Sequence, residues 1–254
     1  MKKWTGSIAA ELLKMKHTYL YPLHVGLPVL GSAVFLLYYS AAGQNPLAQL
    51  AGYLELLGAV LPFVISLICA ENIGLEESNR FQTMGGVIPQ RQQSLWIKWL
   101  VLAGLGALAI GGAVALFGLG FSFVLGKKSV TAAGYWQLAL LLGAGSLPVY
   151  LEHLFWNLRF SKSLSQCIGV AEFLLSALFL TGLGEGRWQF FPCSWSARSV
   201  YLYCSSLAVE GGTRLFSREM KAALPVCLLL SAGMCVIIGV WWNRADAGQL
   251  CAGE

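Results

Sequence analysis

The residues of this chain whose types could do chemistry are few, and most are carboxylates set in apolar surroundings. Glu55 and Glu172 each lie inside a long hydrophobic run, and Glu152, His153 and Asn157 lie toward the end of another. An ionisable group in such a run is costly to bury, so it marks a substrate or gating site, or else a carboxyl that is protonated or paired with a neighbouring helix. A second set, Glu76, Glu77 and Arg80, with Phe81 and the Gly85-Gly86 break after it, falls in a polar interruption. Nucleotide chemistry has no foothold. The nearest string to a phosphate-binding loop is Gly126-Lys127-Lys128-Ser129, with Lys128 where Ser or Thr is needed and Phe121 in place of the first Gly. There is no GxSxG, no HExxH and no Cys/His metal spacing. Cys193 and Cys204 share a long loop, so they could pair in a disulfide or stand as reduced thiols.

The elements that must carry these residues are membrane helices. Of 254 residues 57% are hydrophobic and 11% charged, where a soluble domain of that size carries about 25% charge. No basic run interleaved with aromatics suggests nucleic acid. Six runs reach the roughly 20 residues a span requires: Leu20–Tyr39, Ala48–Ala70, Leu95–Leu116 (extending toward Val124), Trp136–Leu158, Leu164–Leu183 and Ala222–Trp242. Tyr and Trp cluster near their ends, at interfacial depth. Ahead of them, Lys2 to His17 reads as an amphipathic helix on the membrane surface, with Ile8, Leu12, Leu13 and Met15 to one side and its lysines toward headgroups. With the N-terminus inside, ten Lys/Arg fall on the inner side and seven on the outer, so the expectation is both termini cytoplasmic.

Three further features are expected from pattern. Glu76 to Thr83, acids first and glycines after, reads as a short polar helix outside the membrane between the second and third spans. Ala103, Ala107, Gly111 and Ala115 recur every fourth residue, a spacing that lets helix backbones approach. Residues 184–221 contain WQFFPCSW and VYLYCSSLAV, too apolar for a solvated loop and better read as a pair of short helices dipping into the outer leaflet.

One enzyme reading follows from Glu76-Glu77-x-x-Arg80 and His153-x-x-x-Asn157, which resemble the CPBP family of intramembrane proteases. That family has EExxxR and FxxxH. Here the arginine comes one residue early and Val149 stands where the phenylalanine would be.

The stronger resemblance is to ABC-2 type permeases, in the order of amphipathic start, two spans, polar coupling segment, further spans, re-entrant outer segment and last span. IAAELLKMKHTYLYPLHVGLPVLGSAVFLLYYS, GYLELLGAVLPFVISLICAE and ENIGLEESNRFQTMGGVIPQRQQSLWIKWL look like the G-type permease subunit of lantibiotic immunity transporters, the MutG family, and Phe191-Pro192 through Trp195 and Arg198 fit it more loosely. The resemblance implies one all-α permease domain over residues 1–254. An interfacial helix would occupy 1–18, a cytoplasmic coupling segment 71–95 and a re-entrant outer segment 184–221. It implies a separate cytoplasmic ATPase, which carries the ATP and Mg, docked on Glu76, Glu77, Arg80, Phe81 and Gly85. It implies a second permease of E type, or a copy of this chain, in a bacterial plasma membrane. The cargo would be a lanthionine-bridged antimicrobial peptide, met by Trp188, Trp195, Glu55 and Glu172. The chain itself would hold no cofactor and catalyse nothing.

Overall fold

In the computed structural model the chain is described over residues 2–16, 18–79, 81, 84 and 91–245, and there it is helical with short irregular joints. Helix α1 spans Lys2–Met15, α2 Leu20–Ala41, α3 Pro46–Glu77 and α4 Arg91–Leu119, the last continued by one π-helical stretch over Gly120–Val124. Then come α5 (Ala132–Arg159), α6 (Lys162–Leu178), three 3-10 turns between Gly182 and Ser194, α7 (Trp195–Ala208) and α8 (Gly212–Arg244). Among the described residues α2, α3, α4, α5 and α8 are long and apolar enough to cross a membrane. The protein is therefore a polytopic helical membrane protein.

The helix starts follow capping rules. Asn45 accepts a bond from the Leu47 amide with Pro46 at the first helical position, Thr131 caps α5 through Gly134, and Ser161 caps α6 through Leu164. Gly211 joins α7 to α8 in a left-handed conformation (φ 75°) that a side chain would oppose. Lys127 holds the turn of the α2–α3 hairpin. Its Nζ donates to the carbonyls of Tyr39 and Ala42 and to Gln49 Oε1, at 2.8, 3.2 and 2.9 Å.

Helix α3 is the axis of the bundle, with α2, α5, α6 and α7 packed around it. Because lipid is as apolar as Leu, such helices associate by close packing and polar bonds. A Cβ on Gly58 would lie 2.7 Å from the Ala197 Cα, and one on Gly145 would lie 2.6 Å from the Ser196 backbone nitrogen. Glycine at those two positions is what lets α7 lie against α3 and α5. The expected Ala103–Ala115 stripe does not serve this purpose within the chain: Ala103 is buried, but Ala107 and Ala115 are exposed and a Cβ on Gly111 would meet open space. The bundle's tight contacts fall instead where α7 enters.

Two boundaries differ from the sequence reading. Helix α3 does not stop at Ala70 to leave a separate helix over Glu76–Thr83; it runs unbroken to Glu77, because Asn72 and Glu76 face polar partners inside the bundle. Beyond it Phe81 has a φ of 54°, rare for a bulky residue, and is 9% exposed. The second difference is the segment before the last span. It contains one short helix, α7, while residues from Gly212 onward already belong to the 33-residue α8.

Candidate functional site

The run expected as a span over Leu164–Leu183 is interrupted: α6 ends at Leu178, and it is not among the five helices long and apolar enough to cross a membrane. Helix α6 has 17 residues, about 25 Å of rise. It runs antiparallel to α3, with Gly74 beside Lys162 and Ser66 beside Gly169. Helix α7 then runs antiparallel to α5: Ser196 Oγ donates to the Leu142 carbonyl at 2.9 Å, and further along Tyr203 bonds Gln137. Its first turn meets α3 at Gly58, twelve residues or about 18 Å in from Pro46. So α6 ends beside the middle of α3, the chain breaks, and α7 continues along α5 toward its Ala132 end.

A broken backbone at that depth needs its polar groups satisfied by protein. Arg198 supplies much of this. It is 5% exposed, and its Nη1 donates to the carbonyls of Phe179, Leu180 and Thr181 at 3.0, 3.4 and 3.3 Å. A cation at a helix C-terminus also meets the negative end of the helix dipole. The guanidinium stacks 4.6 Å from the Tyr201 ring, and its Nε is buried without a partner. Inside the break Ser194 Oγ donates to the carbonyls of Trp188 (2.9 Å) and Phe191 (2.8 Å), while Trp195 Nε1 donates to that of Gln189 (3.1 Å).

Trp188 and Trp195, expected to meet substrate at the outer leaflet, are 2% and 6% exposed and pack here with Phe179 and Ala223. They wall a cavity of about 370 Å3 between α4, α5, α7 and α8, together with Trp99, Pro148, Met220 and Cys227. Glu55 is half-buried on α3, within electrostatic range of Arg198. Cys193 and Cys204 are both buried free thiols.

Glu172 is the centre of a second polar set. Its Oε2 lies 2.8 Å from His153 Nε2, and His153 Nδ1 lies 2.9 Å from Ser165 Oγ. Asn157 donates to that same hydroxyl oxygen at 2.8 Å, so Ser165 joins His153 to Asn157. Glu152 lies beside Glu172 and accepts from Trp156 Nε1 at 3.3 Å. His153 is fully buried, and its bond to Glu172 ties α5 to α6.

The third set is an ionic latch. Lys98 on α4 is 1% exposed, and its Nζ donates to Glu11 Oε2 (2.8 Å), Asn72 Oδ1 (2.8 Å) and Glu76 Oε1 (3.1 Å). Lys14 donates to Glu11 Oε1 and Glu76 Oε1, both at 2.7 Å. Among the described residues two lysines meet two glutamates here, and the set binds α1 to α3 and α4. Burial opposes the charge on Lys14, but its bonds and attraction to Glu11 and Glu76 outweigh that and hold its pKa above 10.5. Glu11 and Lys14 thus face the bundle, where the helical pattern placed them away from it.

Of the expected coupling residues, Glu76 is therefore buried in the latch and Glu77 pairs with Lys162, while Phe81 is buried just past α3. Arg80 and Gly85 lie outside the described residues. The protease reading needs Glu76, Glu77 and His153 together, yet the three belong to three different polar contacts. Sequence reasoning missed Lys98 and Arg198. Arg198 was visible as the sole charged residue between Arg187 and Glu210. Lys98 was counted only as a loop charge, although Trp96 and Trp99 flank it in an apolar run.

Comparison of the chain with family models, curated proteins and solved structures gives no match.

Proposed function

We propose that the chain is the membrane-spanning, non-catalytic permease subunit of a bacterial ATP-driven transporter of ABC-2 type, and that it expels lantibiotic peptides from the plasma membrane to confer immunity. The observation that carries a transport reading is the break between α6 and α7. Helices broken at mid-depth are the usual construction of substrate sites in transporters, since the break exposes backbone polarity that a continuous helix hides. Here the break places a buried Arg198 and two tryptophans beside a cavity, with Glu55 and Glu172 in the same part of the bundle. Aromatic walls and carboxylates suit a cationic amphipathic peptide.

On this reading α6 and α7 together count as the fifth of six crossings, and both termini are cytoplasmic. The 71–95 segment then faces the cytosol and receives the partner ATPase, which binds ATP and Mg. A second permease, of E type or a copy of this chain, completes the pathway. The latch suits the transmission of force: pressure on the α3–α4 junction or on α1 reaches α3 through charge-assisted bonds, and closure of the ATPase dimer would move these helices as a body.

The test is a survival assay in cells carrying the chain with its ATPase and second permease. Protection against a lantibiotic, lost on Arg198→Gln while insertion and co-purification with the ATPase persist, supports the proposal. Protection against unrelated amphiphilic drugs alone transfers the reading to an exporter of those compounds. Peptidase activity in the purified chain, abolished by His153→Ala, would replace transport with the CPBP-like alternative.

A further inference from the structure

A second cavity, of about 360 Å3, lies between α2, α3 and α4, away from the tryptophan-lined one. It extends along α2 from His24 to Phe35, eleven residues or about 16 Å, and its wall is almost wholly Leu, Val, Ile, Ala and Pro. At its far end the polar groups are already engaged: the Tyr53 hydroxyl lies 3.0 Å from Ser32 Oγ, and both reach the Ala113 carbonyl. At the end nearer α1 one is not. His24 is 8% exposed, and its Nδ1 lies 2.7 Å from the Leu20 carbonyl. A carbonyl only accepts, so Nδ1 carries the proton and a neutral ring presents Nε2 as an acceptor. That Nε2 is buried at the cavity wall with no partner.

A buried acceptor without a donor is unusual enough to need an explanation. Water alone is a poor one, since a buried water needs two to four polar partners and this end of the cavity adds to His24 only the Tyr150 hydroxyl beside Gly106. A peptide helix is about 10 Å or more across and cannot enter a slot of this volume. We infer that the cavity is a binding site for a single-chain amphiphile: an alkyl chain lies along the α2–α3–α4 slot, and a terminal hydroxyl donates to His24 Nε2. The helix that walls the slot lies at the edge of the bundle, with 17% of its apolar stretch buried, so a chain can enter from lipid beside α2. The inference stands independently of the transport proposal.

The test uses the full chain in lipid nanodiscs and two photoreactive probes, a diazirine-bearing dodecanol and its methyl ether, which accepts but cannot donate. In the wild type the alcohol should label slot residues roughly five-fold more than the ether, the discrimination one neutral hydrogen bond supplies. Both should label the exposed Leu228–Leu229 face of α8 equally. In His24→Leu the two probes should label the slot alike. In Ala109→Phe, which fills the slot from α4, labelling there should fall ten-fold or more while α8 labelling holds. Equal slot labelling by alcohol and ether in the wild type, or slot labelling no greater than that of the α8 face, overturns the inference without reliance on any variant's folding.

Discussion

Replacing Lys98 by Met should be among the most damaging single changes in this protein, although the new side chain is of similar length and more apolar. Lys98 is 1% exposed and serves three acceptors. Without it, Glu76 (1% side-chain exposure) and Glu11 (10%) each lose a buried cation, and Asn72 Oδ1 loses that donor. Removing one partner of a buried ion pair costs about 3–5 kcal/mol, because the remaining charge stays out of water. On the soluble-protein scale of about 2–4 °C per kcal/mol for chains of this size, that is a fall in melting temperature of about 6–20 °C, measured on detergent-solubilised protein. The double change Lys98→Met with Glu76→Gln removes one charge of each sign and leaves the Glu11–Lys14 pair whole. It should cost at most about 2 kcal/mol, so the two changes must be strongly non-additive. Hydrogen exchange should localise the effect, with α1 amides deprotected and those of α5 and α6 unchanged. If Lys98→Met costs less than about 1 kcal/mol, or if the double variant is merely additive, the latch is not what holds α1.

Two other outcomes follow from the same geometry. Because the folded-state pKa of Lys14 is raised, its contribution is fully present below its ordinary value of 10.5 and is lost as pH rises through the higher folded value. The stability difference between the wild type and Lys14→Met should therefore be flat from neutral pH to about 10 and shrink above that, which thermal melts at a series of pH values would check. Gly145→Val should displace α7, since even its Cβ would sit 2.6 Å from a backbone nitrogen. An overpacking cost of about 1–3 kcal/mol and faster alkylation of the buried Cys193 and Cys204 are expected, the latter read by mass after N-ethylmaleimide treatment.

The spans themselves were legible because hydropathy is a property of consecutive residues. Leu20–Tyr39 and Trp136–Leu158 fall within two to four residues of the ends of α2 and α5. The interruption after Leu178 was not, since Phe179 to Leu183 continues the apolar run and only the glycines at 182, 184 and 186 mark the change. The polar sets were harder still. Lys98 and Glu11 are 87 residues apart, and no local pattern joins them. Of the apolar side expected for α1, Ile8, Leu12 and Met15 pack on the core and Leu13 is exposed, and a period of 3.6 says nothing of whether Glu11 turns to solvent or to a buried lysine. The Ala103–Ala115 stripe misled for the opposite reason: small residues permit approach and do not supply a partner. Glu55 and Glu172 were found because a carboxylate in an apolar run needs a reason, and the structure gives Glu172 its partner in His153.

The polar sets share one helix. Glu76 and Asn72 of the latch lie near one end of α3, Ser66 touches α6 at Gly169, and Gly58 touches the first turn of α7. Those positions span 18 residues of a continuous helix, about 27 Å. Pro62 lies between them, and it is the only residue of that stretch that deletes a ladder hydrogen bond. A displacement applied at the latch therefore reaches the α6–α7 break through a single element with one defined point of bending. Arg198 stands at the receiving end, donating to the carbonyls of the three residues that follow α6. Its unpartnered Nε and the neighbouring Glu55 give that guanidinium an alternative place to go if α7 moves. A continuous fifth helix would have no such joint, which is the physical reason to locate any motion of this bundle at the break rather than at the lipid-facing helices α2 and α8.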